Sequence, residues 1–414
     1  MYMAVFMQKN TVKKMIALLM AVAFLLVNDY SVLAENEECK IDERLLYSKS
    51  CVLMDGESGR VLYGREADVP LANASTTKIL TCILVLENCA MDEVVTATKK
   101  AASQPKVRLG MRDGEQFYVK DLLYAMMLES FNDCAMALAE HAAGSVEDFS
   151  KMMNSKSEEI GCTNSYFVTP NGLDAETDTD FHHSTAEDLC RIMKYCCWES
   201  QKCADFLTIT QTPTYGFCNL SGKNYAVTNH NAFLNYMDEA ISGKTGFTSK
   251  AGYCYVAAIE SKGRKYCIAL LACGWPNHKT YKWNDATLLF TYGMEHFSLE
   301  KKVYATELPP IVIVHGRGEG DSLDDWGSRA YILPQMQEGE EESLLVREDE
   351  ELTYRVEMPE KIYREIDRNE MVGKIYCYLN DECVGERIIV AKEGCRLWNF
   401  TYFLQCFMKS YLEM

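Results

Sequence analysis

The chain has 414 residues, 18 cysteines and a formal net charge of -18 at pH 7. So acidic a protein lacks the basic patches needed to neutralise phosphates, which excludes nucleic acid as an expected partner. The length admits one large domain or two ordinary ones.

Residues 1–34 read as a secretory signal peptide. Lys9, Lys13 and Lys14 form a positive start, Met15 to Val27 an apolar stretch, and Val32-Leu33-Ala34 offers small residues for cleavage. The alternative is an uncleaved anchor, although the apolar stretch is short for a membrane span. Either reading exports the rest of the chain, to the outer face of the cytoplasmic membrane or the cell wall.

Ser50 to Tyr63 reads as a hairpin turning at Asp55-Gly56-Glu57-Ser58-Gly59. Asn73 to Glu87 is helical and apolar nearly all round, as a buried central helix should be. Further helices are expected over Val119–Ala143, Val146–Ile160 and Ser184–Tyr195, the last capped by Ser184 or Thr185 ahead of Glu187. Ala251–Ile259 and Lys265–Cys273 are strand-like and joined by a tight turn, and Asn284–His296 is a final helix. Strands at both ends with helices between them imply an α+β domain over 40–298.

From Leu308-Pro309-Pro310 the pattern changes to short alternating strands, including Ile311–Val314 and Lys374–Leu379, around the acidic run Glu338–Glu342. This predicts a small all-β domain over 300–393, the alternative being an extension of the first domain. Residues 394–414 are dense in aromatics, with Thr401, Gln405, Lys409 and Glu413 forming one polar stripe. A wide apolar face opposite a thin polar stripe suits a helix lying in a membrane interface. The alternative is a terminal helix packed on its own protein.

Cys82, Cys134 and Cys190 fall within apolar helical patterns, where a thiol behaves as a small hydrophobe. Mostly free, buried thiols are expected, with a bridge from Cys196 or Cys197 to Cys203 as the exception. The chain has no C-x-x-C and no Cys/His cluster with zinc spacing, so neither a metal site nor a cofactor is expected.

Three short motifs carry the chemistry: Ser75-Thr76-Thr77-Lys78, Ser130-Phe131-Asn132 and Lys244-Thr245-Gly246. Each is weak alone, but their order matches the S-x-x-K, S-x-N and K-T-G set of penicillin-binding proteins and serine β-lactamases. S-x-x-K recurs at Ser103–Lys106, where Pro105 interrupts the helical turn, and at Ser298–Lys301, in the wrong order. That leaves Ser75 as the nucleophile. Lys78, one turn on and in apolar surroundings, would lose its charge readily and act as general base. Ser130 and Asn132 can face one site only if the chain loops there; Ser130 would relay a proton to the leaving amine, and Asn132 would hold substrate and base. Phe131 departs from the usual small or acidic residue and could narrow the cleft. Lys244 and Thr245 would bind a substrate carboxylate, with Gly246 allowing close approach. The N–H groups of Ser75 and Phe247 would form the oxyanion hole.

The resemblance extends to Thr169–Asp174, His183–Leu189 and Lys244–Tyr253. The chain resembles the serine D-Ala-D-Ala carboxypeptidases, low-molecular-mass penicillin-binding proteins, especially those of Gram-positive spore formers, over about 45–395. That resemblance implies a β-lactamase/transpeptidase-like domain, a small β-sandwich-like domain and a C-terminal amphipathic helix. It also implies removal of the terminal D-Ala from peptidoglycan pentapeptide stems, with β-lactams as covalent inhibitors. His182 and His183 match a structural stretch of that family, so no catalytic role is expected of them. The alternatives are a β-lactamase, a reading weakened by the lack of an E-x-x-L-N-type element between Ser130 and Lys244, and a non-catalytic wall-binding protein on the same fold.

Overall fold

The computed structural model describes residues 41–304, 307–317, 330–339 and 342–412. The expected signal peptide, 1–34, lies outside them. Up to Leu46 the described chain holds one short 3-10 turn, Glu43–Leu45, capped by the Asp42 carboxylate.

From Tyr47 onward, β1 (Ser50–Asp55) and β2 (Val61–Arg65) form the expected antiparallel hairpin. A 3-10 turn, Ala74–Thr77, leads into α1 (Lys78–Asn88). Next come β3 (Val94–Thr96), the short α2 (Lys99–Ala102), β4 (Gln116–Tyr118), α3 (Val119–Glu129), α4 (Asn132–Ala143) and α5 (Val146–Glu159). Then follow α6 (Ala186–Lys194), α7 (Cys203–Gln211), β5 (Thr214–Cys218), β6 (Asn224–Thr228) and β7 (Ala240–Thr248). β8 (Gly252–Ser261), β9 (Arg264–Leu271) and α8 (Tyr281–His296) complete this part. Thr185, rather than Ser184, caps α6 by accepting from the Asp188 N–H.

Five of these strands make one antiparallel sheet in the order β2-β1-β9-β8-β7. Both of its faces are covered. Val52 and Met54 point into the main apolar core, whereas Leu53 between them meets α8 at Gly293. Helix α1 is buried from Lys78 to Leu86, which explains a sequence apolar all round. β7 lies at the sheet's edge, so one side of the Lys244-Thr245-Gly246 strand is left facing the start of α1.

The later strands are β10 (Phe297–Lys301), β11 (Ile311–Ile313), β12 (Ala330–Ile332), β13 (Pro334–Met336), β14 (Ser343–Arg347), β15 (Leu352–Glu357), β16 (Lys361–Ile362), β17 (Met371–Leu379) and β18 (Glu382–Ala391). Ile311, Ile313, Ile375, Cys377 and Ile389 belong to a second apolar core of their own. A half-buried ion pair, Arg60–Glu350 at 2.9 Å, joins these strands to the turn after β1. α9 (Phe400–Leu412) ends the described chain with Phe400, Leu404, Phe407, Met408, Tyr411 and Leu412 exposed.

All 17 described cysteines are free thiols, and Cys196, Cys197 and Cys203 make no bridge. Most are buried, as the apolar setting of Cys82, Cys134 and Cys190 predicts.

Candidate active site

Ser75 sits in the 3-10 turn and Lys78 opens α1. With three residues per turn, positions i and i+3 eclipse, which brings the Lys78 side chain over Ser75. The Lys78 Nζ lies 2.8 Å from Ser75 Oγ, 2.9 Å from Asn132 Oδ1 and 2.7 Å from the Asn171 carbonyl oxygen. Burial holds its pKa well below that of an ordinary lysine, and the nearby Lys244 ammonium pushes it further down. A neutral amine has two N–H bonds and one lone pair. Asn132 and the Asn171 carbonyl take the two protons, which aims the lone pair at the Ser75 hydroxyl.

The backbone around Ser75 is held tightly. Ala74 adopts φ +49°, in the left-handed region. Its carbonyl accepts from Thr77 Oγ1 at 2.9 Å, and Thr77 Oγ1 lies 2.9 Å from His182 Nε2. The N–H groups of Val168 and Thr169 both point at His182 Nδ1, at 3.0 and 3.3 Å, so Nε2 carries the proton and donates to Thr77. Burial lowers the His182 pKa to about 3. This histidine is a neutral buttress for the Ala74–Ser75 peptide, consistent with the expectation that it takes no catalytic part. A side chain at Gly172 would collide with the Ala74 carbonyl, and its φ of +80° also calls for glycine.

Ser130 and Asn132 meet the site because the long helical stretch breaks between α3 and α4, as the motif spacing requires. Ser130 caps α3 in the left-handed conformation, φ +65°, and Asn132 starts α4. The buried Asp133 beside it accepts from the N–H groups of Leu109 and Gly110 at 2.9 and 2.8 Å. That fixes a loop whose Pro105 carbonyl accepts from Asn132 Nδ2 at 3.3 Å. Gln104 Oε1 accepts from Asn171 Nδ2 at 3.0 Å. The loop that carries the Ser103–Lys106 copy of S-x-x-K thus walls the cleft, with Lys106 in its lining. Phe131 differs from expectation: it packs on the main core and is absent from the cleft lining. Phe247, 41% exposed and 4.7 Å from the Tyr253 ring, narrows the cleft instead.

Lys244 comes from the edge strand. Its Nζ lies 3.0 Å from Ser130 Oγ and donates to the Thr245 carbonyl at 2.9 Å, while burial lowers its pKa to about 7. A Cβ on Gly246 would stand 2.9 Å from the Ser75 nitrogen, so only glycine lets β7 pass this close. Ser75, Ser130, Asn132, Thr245, Gly246 and Phe247 line one cavity of about 320 Å³. Lys78 and Lys244 lie beneath its floor, buried. The sequence reading missed Lys282, also on the wall. Its ammonium sits 5.0 and 4.4 Å from the Tyr253 and Trp283 rings. No motif marked it, because it reaches the cleft from α8. No aspartate or glutamate is among the described residues lining this cavity.

A protein-family model described as D-alanyl-D-alanine carboxypeptidase matches residues 37–272, more than half of the chain. The chain belongs to that family. It is similar to the D-alanyl-D-alanine carboxypeptidase DacF of Bacillus subtilis, 25% identical over 401 residues, covering 95% of this chain and 97% of the relative. DacB2 of Mycobacterium tuberculosis is 30% identical over 250 residues, or 59% of this chain and 82% of its own. Among solved structures, a D-alanyl-D-alanine carboxypeptidase of M. tuberculosis aligns with 60% of this chain and 90% of its own at TM-score 0.54 and 30% identity. Penicillin-binding protein 5 of Haemophilus influenzae aligns with 85% of this chain and 98% of its own at TM-score 0.65. At 21% identity that match speaks for the fold alone. Membership makes the protein a serine peptidase of cell-wall peptidoglycan metabolism on an α+β penicillin-binding fold.

Proposed function

We propose that Ser75 is the nucleophile of this carboxypeptidase and Lys78 its general base. The observation that carries the assignment is the saturated hydrogen bonding of Lys78, which leaves one lone pair facing Ser75 Oγ at 2.8 Å. Ser75 attacks the carbonyl between the two terminal D-alanines of a peptidoglycan stem. The N–H groups of Ser75 and Phe247 hold the oxyanion. Ser130, in contact with Lys244, relays to the leaving D-alanine amine the proton that Lys78 took from Ser75, so that both groups end the step as they began it. The terminal carboxylate rests on Lys244 and Thr245, with Lys282 as a second cation on the same wall. Water then hydrolyses the acyl-enzyme.

A β-lactam acylates the same serine and is released slowly, because the cleft lining offers no carboxylate to activate the deacylating water. That observation weighs against the β-lactamase reading. The intact Ser75–Lys78–Asn132 arrangement weighs against a non-catalytic wall-binding protein.

The protein acts outside the cytoplasmic membrane, a reading supported by the signal-like residues 1–34. Among the described residues no helix is long and apolar enough to cross a membrane. The exposed apolar face of α9 fits a helix lying on the membrane surface. The all-β segment over 300–393 is read as a separate domain, supported by its own apolar core.

Labelled penicillin followed by a D-Ala-D-Ala-terminated peptide tests the assignment. Slow-clearing label and release of D-alanine are expected, and both should vanish in Ser75→Ala. Activity surviving that substitution refutes the mechanism, and rapid turnover of penicillin identifies a β-lactamase.

A further inference from the structure

We propose that Cys89, Glu93 and His141 form a binding site for a zinc-class divalent cation, separate from the catalytic cleft. Among the described residues these three bring a thiol sulfur, a carboxylate oxygen and an imidazole nitrogen within 4.8 Å of one another. Sulfur, nitrogen and carboxylate oxygen together are a donor set suited to zinc, and three protein ligands leave a fourth position for water.

Sequence spacing conceals the site, because His141 stands on α4 and the other two follow α1. Cys89 is the residue on which α1 ends, its N–H bonded to the Val85 carbonyl. His141 lies in the last turn of α4. Two helix C-termini, each carrying partial negative charge, therefore converge where the cation would sit, and the Glu93 carboxylate adds a full negative charge. Such a place favours a cation even before coordination is counted.

The ligands are also partly set in position. Glu93 Oε1 accepts from the Ala90 N–H at 2.7 Å, which leaves Oε2 toward His141 Nε2 at 2.8 Å. Cys89 is a free, half-buried thiol. Around a tetrahedral zinc with bonds of about 2.0–2.3 Å, donor atoms stand roughly 3.3–3.8 Å apart. The Glu93–His141 pair must therefore open by about half an ångström, and the sulfur must close by at most about 1.5 Å. On binding, the thiol gives its proton to solvent. The imidazole moves its proton to Nδ1, so that the Nε2 lone pair turns to the metal.

The cation would clamp the C-terminal ends of the two helices whose N-terminal ends carry Lys78 and Asn132. Its distance from that chemistry is the length of α1, about 15 Å at 1.5 Å per residue. It would act as a staple and take no part in the reaction.

The test uses the full chain, freed of metal by a chelator and titrated with cobalt(II), then with zinc(II) in competition. One equivalent of cobalt should give a thiolate-to-cobalt absorption band, which zinc removes. Cys89→Ser should lose the band, and His141→Ala should weaken binding by on the order of 100-fold, at least what altered outer-shell partners cost a metal site. Penicillin labelling reports folding of each variant; where one fails to label, Glu93→Gln takes its place and is expected to weaken binding likewise. The proposal is overturned if wild type gives no thiolate band, or if the band persists at full strength in Cys89→Ser. Unchanged affinity in the folded His141 or Glu93 variant overturns it equally.

Discussion

Replacing Lys244 by methionine should inactivate the protein and stabilise it, with a gain that shrinks as the pH rises. The Lys244 side chain is 3% exposed, and burial brings its pKa to about 7. In the unfolded chain a lysine titrates near about 10.4. Between those values the unfolded state holds a proton that the folded state has released, so unfolding free energy climbs with pH at up to about 1.4 kcal/mol per unit. Wild type therefore loses this stability as pH falls from about 10 toward 7 and loses little more below that. Methionine has no such slope. At about pH 7 the unfavourable burial of the lysine is worth roughly 4 kcal/mol, and at about pH 9 roughly 2. The bonds from Lys244 to Ser130 and to the Thr245 carbonyl, at 3.0 and 2.9 Å, return about 1 kcal/mol each. Lys244→Met should thus be more stable by about 2 kcal/mol near neutral pH and nearly equal to wild type at about pH 9. Urea denaturation of both proteins, followed by tryptophan fluorescence at the two pH values, measures the difference. A stability gap that does not change with pH, or that widens as pH rises, refutes the reasoning.

Acylation by penicillin should fall about tenfold per pH unit on the acid side once Lys78 takes up its proton. No further step belongs to His182, which stays neutral down to about pH 3; a stopped-flow profile whose acid limb disappears in His182→Gln contradicts this. His182→Ala strands the N–H groups of Val168 and Thr169 and frees Thr77, at a cost of roughly 3 kcal/mol of stability by denaturation, together with slower acylation. Gly172→Ala should lose penicillin labelling and at least about 2 kcal/mol of stability, because the new methyl meets the Ala74 carbonyl at a positive φ. Deleting residues 400–414 should abolish co-sedimentation with phospholipid vesicles and leave hydrolysis of a soluble peptide unchanged; vesicle binding that persists removes the surface-helix reading of α9.

The Ser75–Lys78 pair and its helix were legible because both depend on local order. A hydroxyl and an amine three residues apart at the head of an apolar run describe one turn of a buried helix, and α1 is that helix. The break between Ser130 and Asn132 was legible too, since no continuous helix points both side chains one way. Phe131 shows the limit. A side chain next to two site residues still turned into the core, because the left-handed backbone at Ser130 redirects the chain just before it. The weight given to the Ser103–Lys106 copy shows the same limit from the other side. Pro105 argued against it as a nucleophile, but nothing local announced that its loop would support Asn132 and Asn171.

The sequence by itself determined the reaction class, the ordered motifs, the alternating strands and the apolar faces, all of which follow from side-chain chemistry and period. Only the tertiary structure decided how charge is managed in the cleft. Burial and then Lys244, which arrives from the sheet edge, lower the proton affinity of Lys78, while a carbonyl 93 residues further along the chain accepts one of its N–H bonds and orients it. Lys282 and the Cys89–Glu93–His141 group were hidden for the same reason. Proton affinity and ion binding depend on what surrounds a group in space, and the chain's order records only its neighbours along the backbone.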